Sequence, residues 1–297
     1  MGKALFDAYA EARAVFQEVD DTLGQKLSAV MFEGPVEALQ LTENAQPALM
    51  AVSLAVIRVL DKQGAFRLPE AAQFVAGHSL GEYSALCAAA SFTLSDTARL
   101  LRLRGHAMQQ AVPVGVGAMA AILGADFKAA QEIAAAAAED EVCMVANDNA
   151  PGQIVISGHV AAVDRAIVLA AENGFRRSIK LPVSAPFHST LMQPAVKVMR
   201  EALEKTMIKE PCVPIVNNVT AEATRDPEHI RDLLVDQVAG VVRWRESMLY
   251  MKGQGVEQFV ECGSGTVLAG LAKRIDREIP AVSLHTPEEI EKFLASQ

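Results

Sequence analysis

The sequence predicts an α/β fold, with a mainly parallel sheet in a large domain that is interrupted by a small subdomain. Of the 297 residues, 51% are apolar and only 5% are aromatic, which suits a helix-rich α/β core. Short apolar runs alternate with helical patterns along most of the chain, as expected for parallel strands joined by helices. The pentapeptide Gly77-His78-Ser79-Leu80-Gly81 lies between one such run and a helical pattern.

The elements before residue 114 are predicted to be mostly helices, from their apolar periodicity and capping residues. In order, they are helix 4–24, helix 45–62 capped by Thr42, strand 73–76, helix 82–90 and helix 95–112. Pro113 and the glycines at 115 and 117 end this pattern.

Residues 117–184 follow a different pattern. Strands and helices occur here in the order βαββαβ, which is the ferredoxin-like pattern. The predicted elements are strand 118–123, helix 127–139, strand 142–146, strand 153–157, helix 161–173 and strand 178–183. The sequence therefore predicts a ferredoxin-like small subdomain at 115–184, inserted into a large domain formed by 1–114 and 185–297.

The remainder of the large domain returns to alternating helices and strands. The predicted elements are helix 191–206, strand 214–217, helix 230–238, helix 245–253, strand 256–261 and a helix ending near residue 275. Gly263-Ser264-Gly265 precedes the last helix, and a tight turn explains these two glycines better than a phosphate site does.

Composition and charge exclude several classes of function. The formal net charge of −9 argues against broad nucleic-acid binding. The four cysteines lie far apart without a Cys-x-x-Cys pair, which indicates a reduced, cytoplasmic chain without a metal site. No charged segment followed by an apolar stretch opens the chain and no long apolar run interrupts it. We therefore expect neither a secretory signal nor a membrane span.

The pentapeptide around Ser79 has the Gly-x-Ser-x-Gly pattern of a nucleophile elbow. A strand that turns sharply into a helix crowds its own backbone, which favours glycine two residues on either side of the serine. The turn exposes the hydroxyl at a helix N-terminus, where backbone N–H groups face a developing oxyanion. Ser79 is therefore the candidate nucleophile.

A serine nucleophile needs a general base, and six histidines are available. His188 is the strongest candidate, because it lies where a predicted strand ends and a helix begins, the place where α/β sheets form their sites. His78 is adjacent to Ser79, but at an elbow its side chain should point away from the hydroxyl and support the turn.

Arg104 lies on the apolar side of the predicted helix 95–112, three residues after Leu101 and four before Met108. An arginine buried without a partner is costly. Either an internal carboxylate pairs with it, or it binds the carboxylate of a substrate in bidentate geometry.

Six segments of the chain share one family's motifs. They are Gly77-His78-Ser79-Leu80-Gly81-Glu82-Tyr83-Ser84-Ala85, Arg104-Gly105, Gly117-Ala118-Met119-Ala120-Ala121-Ile122, Ala185-Pro186-Phe187-His188-Ser189, Val216-Asn217-Asn218-Val219 and Glu261-Cys262-Gly263-Ser264-Gly265-Thr266-Val267-Leu268. Together they resemble the malonyl-CoA:acyl-carrier-protein transacylase family of type II fatty acid synthesis, and the likeness runs in consistent order along the whole chain. The resemblance implies a large α/β-hydrolase-like domain with a ferredoxin-like insert.

The resemblance also implies roles for single residues. Ser79 would take the malonyl group as an ester, with His188 as the base for that attack and the acid for the departing CoA thiolate. Arg104 would pair with the malonyl carboxylate. The implied partners are malonyl-CoA, as a thioester substrate, and acyl carrier protein. No cofactor is expected, and the chain is expected to be a monomer.

Four further residues carry over less directly from the family pattern. Gln237 aligns best with the backbone carbonyl that orients the histidine. Leu80, which follows the nucleophile, would donate one oxyanion N–H. Phe187 is typical of members that accept malonyl groups, and Met119 is expected in the substrate site with it.

The family's N-terminal motif is not found in this sequence. Members begin with a strand and a Phe-Pro-Gly-Gln-Gly-Ser-Gln loop, and only then reach a segment like Met1-Gly2-Lys3-Ala4-Leu5. The glutamine of that loop supplies the second oxyanion N–H in the family, and loss of one such donor costs on the order of 10²–10³ in rate.

Two other functions stay open at this point. A serine hydrolase or thioesterase would use the same elbow, but it usually needs an acid between serine and histidine in chain order, and none stands out at a strand end. The other is a shortened, non-catalytic chain that only binds acyl carrier protein. Steady release of free malonate would favour the first, and carrier-protein binding without an acyl-enzyme would favour the second.

Overall fold

The structure is a computed structural model that describes residues 1–64, 66–183 and 185–296. Ser184 and Gln297, which end two of the predicted domain segments, lie outside the described residues. The helices are α1 (Lys3–Ala8), α2 (Ala10–Leu23), α3 (Leu27–Glu33), α4 (Val36–Gln40), α5 (Thr42–Gln63), α6 (Leu68–Ala71), α7 (Gly81–Ala88), α8 (Leu94–Gln110), α9 (Phe127–Ala138), α10 (Val160–Glu172), the 3₁₀ turn Thr190–Met192, α11 (Gln193–Glu204), α12 (Pro227–Gln237), α13 (Trp244–Gly253), α14 (Val267–Ile275) and α15 (Pro287–Leu294).

The strands of the described residues form three sheets. They are β1 (Val75–Ala76), β2 (Gly117–Leu123), β3 (Cys143–Ala150), β4 (Gln153–His159), β5 (Ile179–Lys180), β6 (Ile215–Val216), β7 (Ala223–Thr224), β8 (Phe259–Cys262) and β9 (Ala281–Leu284). The combination of these sheets with the helices is an α/β fold. Strands β7 and β9 were not predicted from the sequence.

The N-terminal helices form most of the largest apolar core. Helices α2, α5 and α8 pack against one another around buried side chains that include Phe16, Val56 and Leu101. The prediction of one helix over 4–24 was wrong, because Tyr9 is extended (φ −124°) and separates α1 from α2. The Tyr9 hydroxyl donates to the carbonyl of Pro287 (3.4 Å), a contact across the fold that the periodicity of the segment does not contain.

Strands β2 to β5 form one antiparallel sheet in the order β3-β4-β2-β5. With α9 and α10 they follow one another as strand, helix, strand, strand, helix, strand, which is the order predicted from the sequence. Strand β3 is longer than predicted and contains two register shifts, whereas β5 is limited to two residues. Side chains alternate across β2. Ala120 and Ile122 pack against the two helices, while Met119 and Ala121 belong to a separate apolar cluster.

A second sheet positions the pentapeptide. Strand β1 pairs in parallel with β6, with Ala76 opposite Val216, and β7 pairs antiparallel on the far side of β6. Strands β8 and β9 form a separate parallel pair. Because β1 and β6 run in the same direction and end together, the segments that follow them meet at one edge. Ser79 and Asn218 are therefore neighbours.

None of the helices in the described part of the chain combines the length and the apolar character needed to cross a membrane.

Candidate active site

Ser79 occupies a strained turn between β1 and α7. Its φ is +53°, in the left-handed region that residues with a side chain rarely adopt. The Ser79 N–H donates to Asn218 Oδ1 (2.7 Å), and Gln237 Nε2 donates to the Ser79 carbonyl (2.9 Å). Two side chains from other elements thus hold the strained residue in place.

The two glycines of the pentapeptide differ in why they are needed. A Cβ on Gly77 would lie 1.9 Å from the backbone of Gly81, so only glycine fits there. A Cβ on Gly81 would meet no atom within 4 Å. The backbone crowding expected from the sequence therefore explains the glycine at 77. It does not explain the glycine at 81.

His188 lies against the Ser79 hydroxyl. Ser79 Oγ is 2.8 Å from His188 Nε2, while Nδ1 is 2.9 Å from the carbonyl oxygen of Gln237 and 3.2 Å from that of Gly240. Carbonyl oxygens only accept hydrogen bonds, so Nδ1 carries the proton and Nε2 is free to accept from the serine. Burial, with a smaller contribution from the charge of Arg104, lowers the pKa of His188 to about 3. The imidazole is therefore neutral near pH 7.

Arg104 reaches the same hydroxyl from the interior of the protein. The residue is only 1% exposed. Its Nη1 donates to Gln46 Oε1 (2.7 Å), and its Nη2 donates to Ser79 Oγ (3.0 Å) and to Gln237 Oε1 (2.9 Å). The guanidinium carbon lies 5.7 Å from the centre of the Tyr83 ring, at cation–π distance.

The hydrogen-bond partners of Arg104 are all neutral. No carboxylate among the described residues forms an ion pair with it, and its Nε is buried without a hydrogen-bond partner. Burial lowers the pKa of Arg104 from its ordinary value. Of the two alternatives left by the sequence, an internal carboxylate in direct contact with Arg104 is thus not found in the described part of the chain. Glu82 attracts its charge without forming an ion pair.

Gln237 connects the nucleophile, the histidine and the arginine. The sequence predicted a contact only from its main chain, and that carbonyl does lie 2.9 Å from His188 Nδ1. Its side chain is equally involved, because Oε1 accepts from Arg104 and Nε2 donates to the Ser79 carbonyl. The residue is fully buried at the end of α12.

Sequence reasoning did not single out three polar residues of this site. Gln46 on α5 accepts from Arg104, and Asn218 accepts from the Ser79 N–H. Glu82, in the first turn of α7 and 1% exposed, accepts from Gln237 Nε2 (2.7 Å) and from the Asn218 N–H (3.1 Å). Burial raises the pKa of Glu82 from 4.5 to about 7. The sequence signal that could have identified these three residues is a polar side chain within an otherwise apolar segment.

The remaining predicted residues lie around this centre. Leu80 precedes α7, and no acceptor in the described residues takes its backbone N–H. Met119 is buried on β2 in a cluster against which Phe187 packs. Phe187 also packs against the largest core, so it lies where the two clusters meet.

His78 is turned toward the antiparallel sheet. Its Nε2 is 2.8 Å from Asn149 Oδ1 on β3, and its ring centre is 5.6 Å from that of Trp244. Burial lowers the pKa of His78. This position agrees with the expected supporting role of the residue next to the serine.

The pKa of Glu82 predicts a pH dependence of stability. Between about pH 4.5 and 7 the folded protein keeps a proton on Glu82 that the unfolded chain releases. The stabilisation is therefore complete below about 4.5 and is lost as the pH rises through about 7. The shift corresponds to a change on the order of 1–3 kcal/mol in the free energy of unfolding.

Glu82→Gln isolates this contribution, because the variant keeps the shape of the side chain and cannot titrate. The low pKa of His188 acts in the opposite direction in both proteins and cancels in their difference. Urea denaturation should show the variant gaining stability relative to the wild type as the pH rises from 4.5 to 7.5. A pH-independent difference between the two proteins would contradict the raised pKa.

A serine on a strained turn, a neutral histidine at its hydroxyl and, beside it, a backbone N–H without an acceptor in the described residues are the groups that a serine-dependent acyl-transferring protein requires. Residues 1–279 match the family model of the acyl transferase domain. The chain belongs to this family, and within it to the malonyl CoA-acyl carrier protein transacylases.

Three comparisons give the extent of this similarity. The chain is 44% identical to the malonyl CoA-acyl carrier protein transacylase of Bacillus subtilis (strain 168), over 98% of this chain and 90% of that protein. It is 43% identical to the transacylase of the same name from Escherichia coli (strain K12), over 94% and 89%. The crystal structure of acyl-carrier-protein-S-malonyltransferase from Bartonella henselae is 54% identical, with a TM-score of 0.97 over 100% of this chain and 94% of that one.

Proposed function

We propose that this protein transfers the malonyl group of malonyl-CoA to the phosphopantetheine thiol of acyl carrier protein, through an ester on Ser79, in fatty acid synthesis. The names of its relatives support this activity. The observation that carries it is the Arg104 guanidinium, 1% exposed, 3.0 Å from Ser79 Oγ and without a carboxylate partner in the described residues. A malonyl group on Ser79 would bring its own carboxylate to that cation.

In the first half-reaction Ser79 attacks the thioester. Oγ bonds to the carbonyl carbon as its proton passes to His188 Nε2, which lies 2.8 Å away and carries no proton of its own. The backbone N–H of Leu80 at the start of α7 donates to the oxyanion. The carbon–sulfur bond then breaks, and the CoA sulfur takes the proton from His188.

The second half-reaction reverses these roles. The thiol of acyl carrier protein gives its proton to His188, and its sulfur bonds to the ester carbonyl carbon. The bond from that carbon to Ser79 Oγ breaks, and Oγ recovers the proton from His188. Arg104, Phe187 and Met119 hold the acyl group during the exchange, which favours a positioned thiol over water.

The charge of Arg104 also couples substrate binding to the base. Arg104 contributes to the low pKa of His188. A malonyl carboxylate that pairs with the guanidinium offsets this effect, so the histidine becomes a stronger base when a malonyl group is present. A neutral acetyl group lacks the charge to do so.

The finer architecture is part of the same proposal. The order β3-β4-β2-β5 with two helices supports a ferredoxin-like small subdomain at 115–184. The sheets and helices of 1–114 and 185–297 would then form the α/β-hydrolase-like domain that carries Ser79, His188 and Arg104. A monomeric state, a cytoplasmic location and the lack of a cofactor stay predictions.

Mass spectrometry of the protein mixed with malonyl-CoA tests the proposal. We expect a malonyl adduct on the peptide that contains Ser79, its loss when the thiol of acyl carrier protein is added, and no adduct with Ser79→Ala. Absence of the adduct in the wild type would overturn the proposal. Steady release of free malonate without a thiol acceptor would favour a hydrolase instead.

A further inference from the structure

Glu82 is a buried carboxylate that the half-reactions above do not use. It lies three residues after Ser79, in the first turn of α7, and is 1% exposed. An acidic residue in the first turn stabilises a helix even when it is exposed to solvent, so helix stability alone does not explain why Glu82 is buried. The structure gives Glu82 two N–H donors, the Gln237 amide and the Asn218 backbone, and no ion pair within the described residues.

The contact with Glu82 determines which way the Gln237 amide faces. Gln237 Nε2 donates to Glu82 Oε2 (2.7 Å), so Gln237 Oε1 faces the opposite way and accepts from Arg104 Nη2 (2.9 Å). The reversed amide would direct its N–H groups at the guanidinium, which has only donors. The carboxylate oxygen of Glu82 therefore keeps Gln237 Oε1 directed at Arg104.

The same carboxylate oxygen supports the turn of the nucleophile. The Asn218 N–H donates to Glu82 Oε2, and Asn218 Oδ1 accepts from the Ser79 N–H (2.7 Å). Gln237 Nε2 contacts the Ser79 carbonyl in addition to Glu82. Glu82 thus contacts both residues whose side chains hold the Ser79 backbone, Asn218 through its main-chain N–H and Gln237 through its amide. The Gln237 amide also holds Arg104.

We propose that Glu82 is a positioning residue, whose carboxylate fixes the orientation of the Gln237 amide and thereby aims the Arg104 guanidinium at the acyl group on Ser79. The inference rests on the proposed malonyl transfer. It implies that loss of the acceptor at residue 82 impairs malonyl transfer more than acetyl transfer, because only the malonyl group uses Arg104.

The test compares kcat/KM for malonyl-CoA with that for acetyl-CoA in the same preparation, since this ratio does not depend on the fraction of folded protein. Glu82→Met removes the acceptor and should lower the malonyl-to-acetyl ratio at least about tenfold, the range of a hydrogen bond to a charged group. Glu82→Gln retains a carbonyl that can accept both N–H groups and should preserve most of the ratio. If Glu82→Met does not fold, Glu82→Asp replaces it in the test. Its carboxylate is one methylene shorter and reaches Gln237 less well, so the malonyl-to-acetyl ratio should again fall.

Two controls separate positioning from general damage. In an Arg104→Met background, Glu82→Met should leave the remaining ratio unchanged, because the guanidinium it would aim is absent. Asp20 is a buried carboxylate on α2, and it accepts from the N–H and the hydroxyl of Ser28 rather than from a residue of the site. Asp20→Met should leave the ratio unchanged whatever it does to stability.

An equal loss with both donors, or the same fall of the ratio without Arg104, would overturn the positioning role while leaving the proposed function intact. A wild-type protein that transfers no malonyl group would overturn both. These outcomes are distinguished within one set of assays, because the wild type is measured beside each variant.

Discussion

His188→Ala is expected to lower the rate of malonyl transfer to Ser79 by about 10²–10⁴, the range of a general base. Nε2 is 2.8 Å from the hydroxyl, and the carbonyls of Gln237 and Gly240 keep the proton on Nδ1. Some activity should remain, since Arg104 lies 3.0 Å from Oγ and stabilises a developing negative charge there. The measurement is the rate at which the Ser79 adduct appears after rapid mixing.

His159→Ala is the matched control for this experiment. The Nδ1 of His159 accepts from the Val142 N–H (2.9 Å) at one end of strands β3 and β4, where the ring makes a structural hydrogen bond. We expect its adduct rate to stay within about threefold of the wild type, since its contact contributes only to local stability. A rate for His188→Ala close to that of the wild type would show that the histidine is not the base.

Arg104→Met should reduce malonyl transfer about 10- to 100-fold relative to acetyl transfer. Hydrogen bonds to a charged group are worth about 1.5–3 kcal/mol, and the acetyl group has no carboxylate to lose. Parallel assays with the two CoA thioesters give the ratio. The free energy of unfolding should fall by less than this loss of malonyl transfer, because the hydrogen-bond partners of the replaced cation are neutral and its burial is itself costly.

Arg102→Met tests whether the effect belongs to the site. Arg102 lies on the same helix and donates to Asn44 Oδ1 (2.8 Å), without a contact to Ser79. It should affect both donors alike. If Arg104→Met also lowered malonyl and acetyl transfer equally, Arg104 would be a structural residue and the selectivity for malonyl would need another source.

Local patterns predicted the elements that carry the site to within a few residues. The helix expected at 95–112 is Leu94–Gln110, and the elbow lies between β1 and α7 as expected. Apolar periodicity, turn residues and caps act over a few residues, so they are readable from the chain alone. The broken helix at Tyr9 was missed because the apolar periodicity of 4–24 continues through this extended residue.

The polar network behind the serine was not predictable in the same way. Gln46, Glu82, Asn218 and Gln237 lie on or beside different elements, and each contact joins distant parts of the chain. The resemblance indicated a main-chain role for Gln237. Its amide contacts exist because the fold places the end of α12 beside Glu82 of α7 and Arg104 of α8. No periodicity or motif encodes which of two amide atoms faces an arginine.

By itself the sequence determined the chemical groups available at this site: a serine in an elbow, a histidine where a strand ends and an arginine on an apolar helix face. Only the tertiary structure decided that these groups share one hydroxyl, that the histidine is neutral and that the arginine has no internal carboxylate among the described residues. The physical reason is that burial, charge and hydrogen-bond direction depend on neighbours brought together by packing. Ser79 and His188, which are 109 residues apart in the chain and 2.8 Å apart in the fold, illustrate this difference.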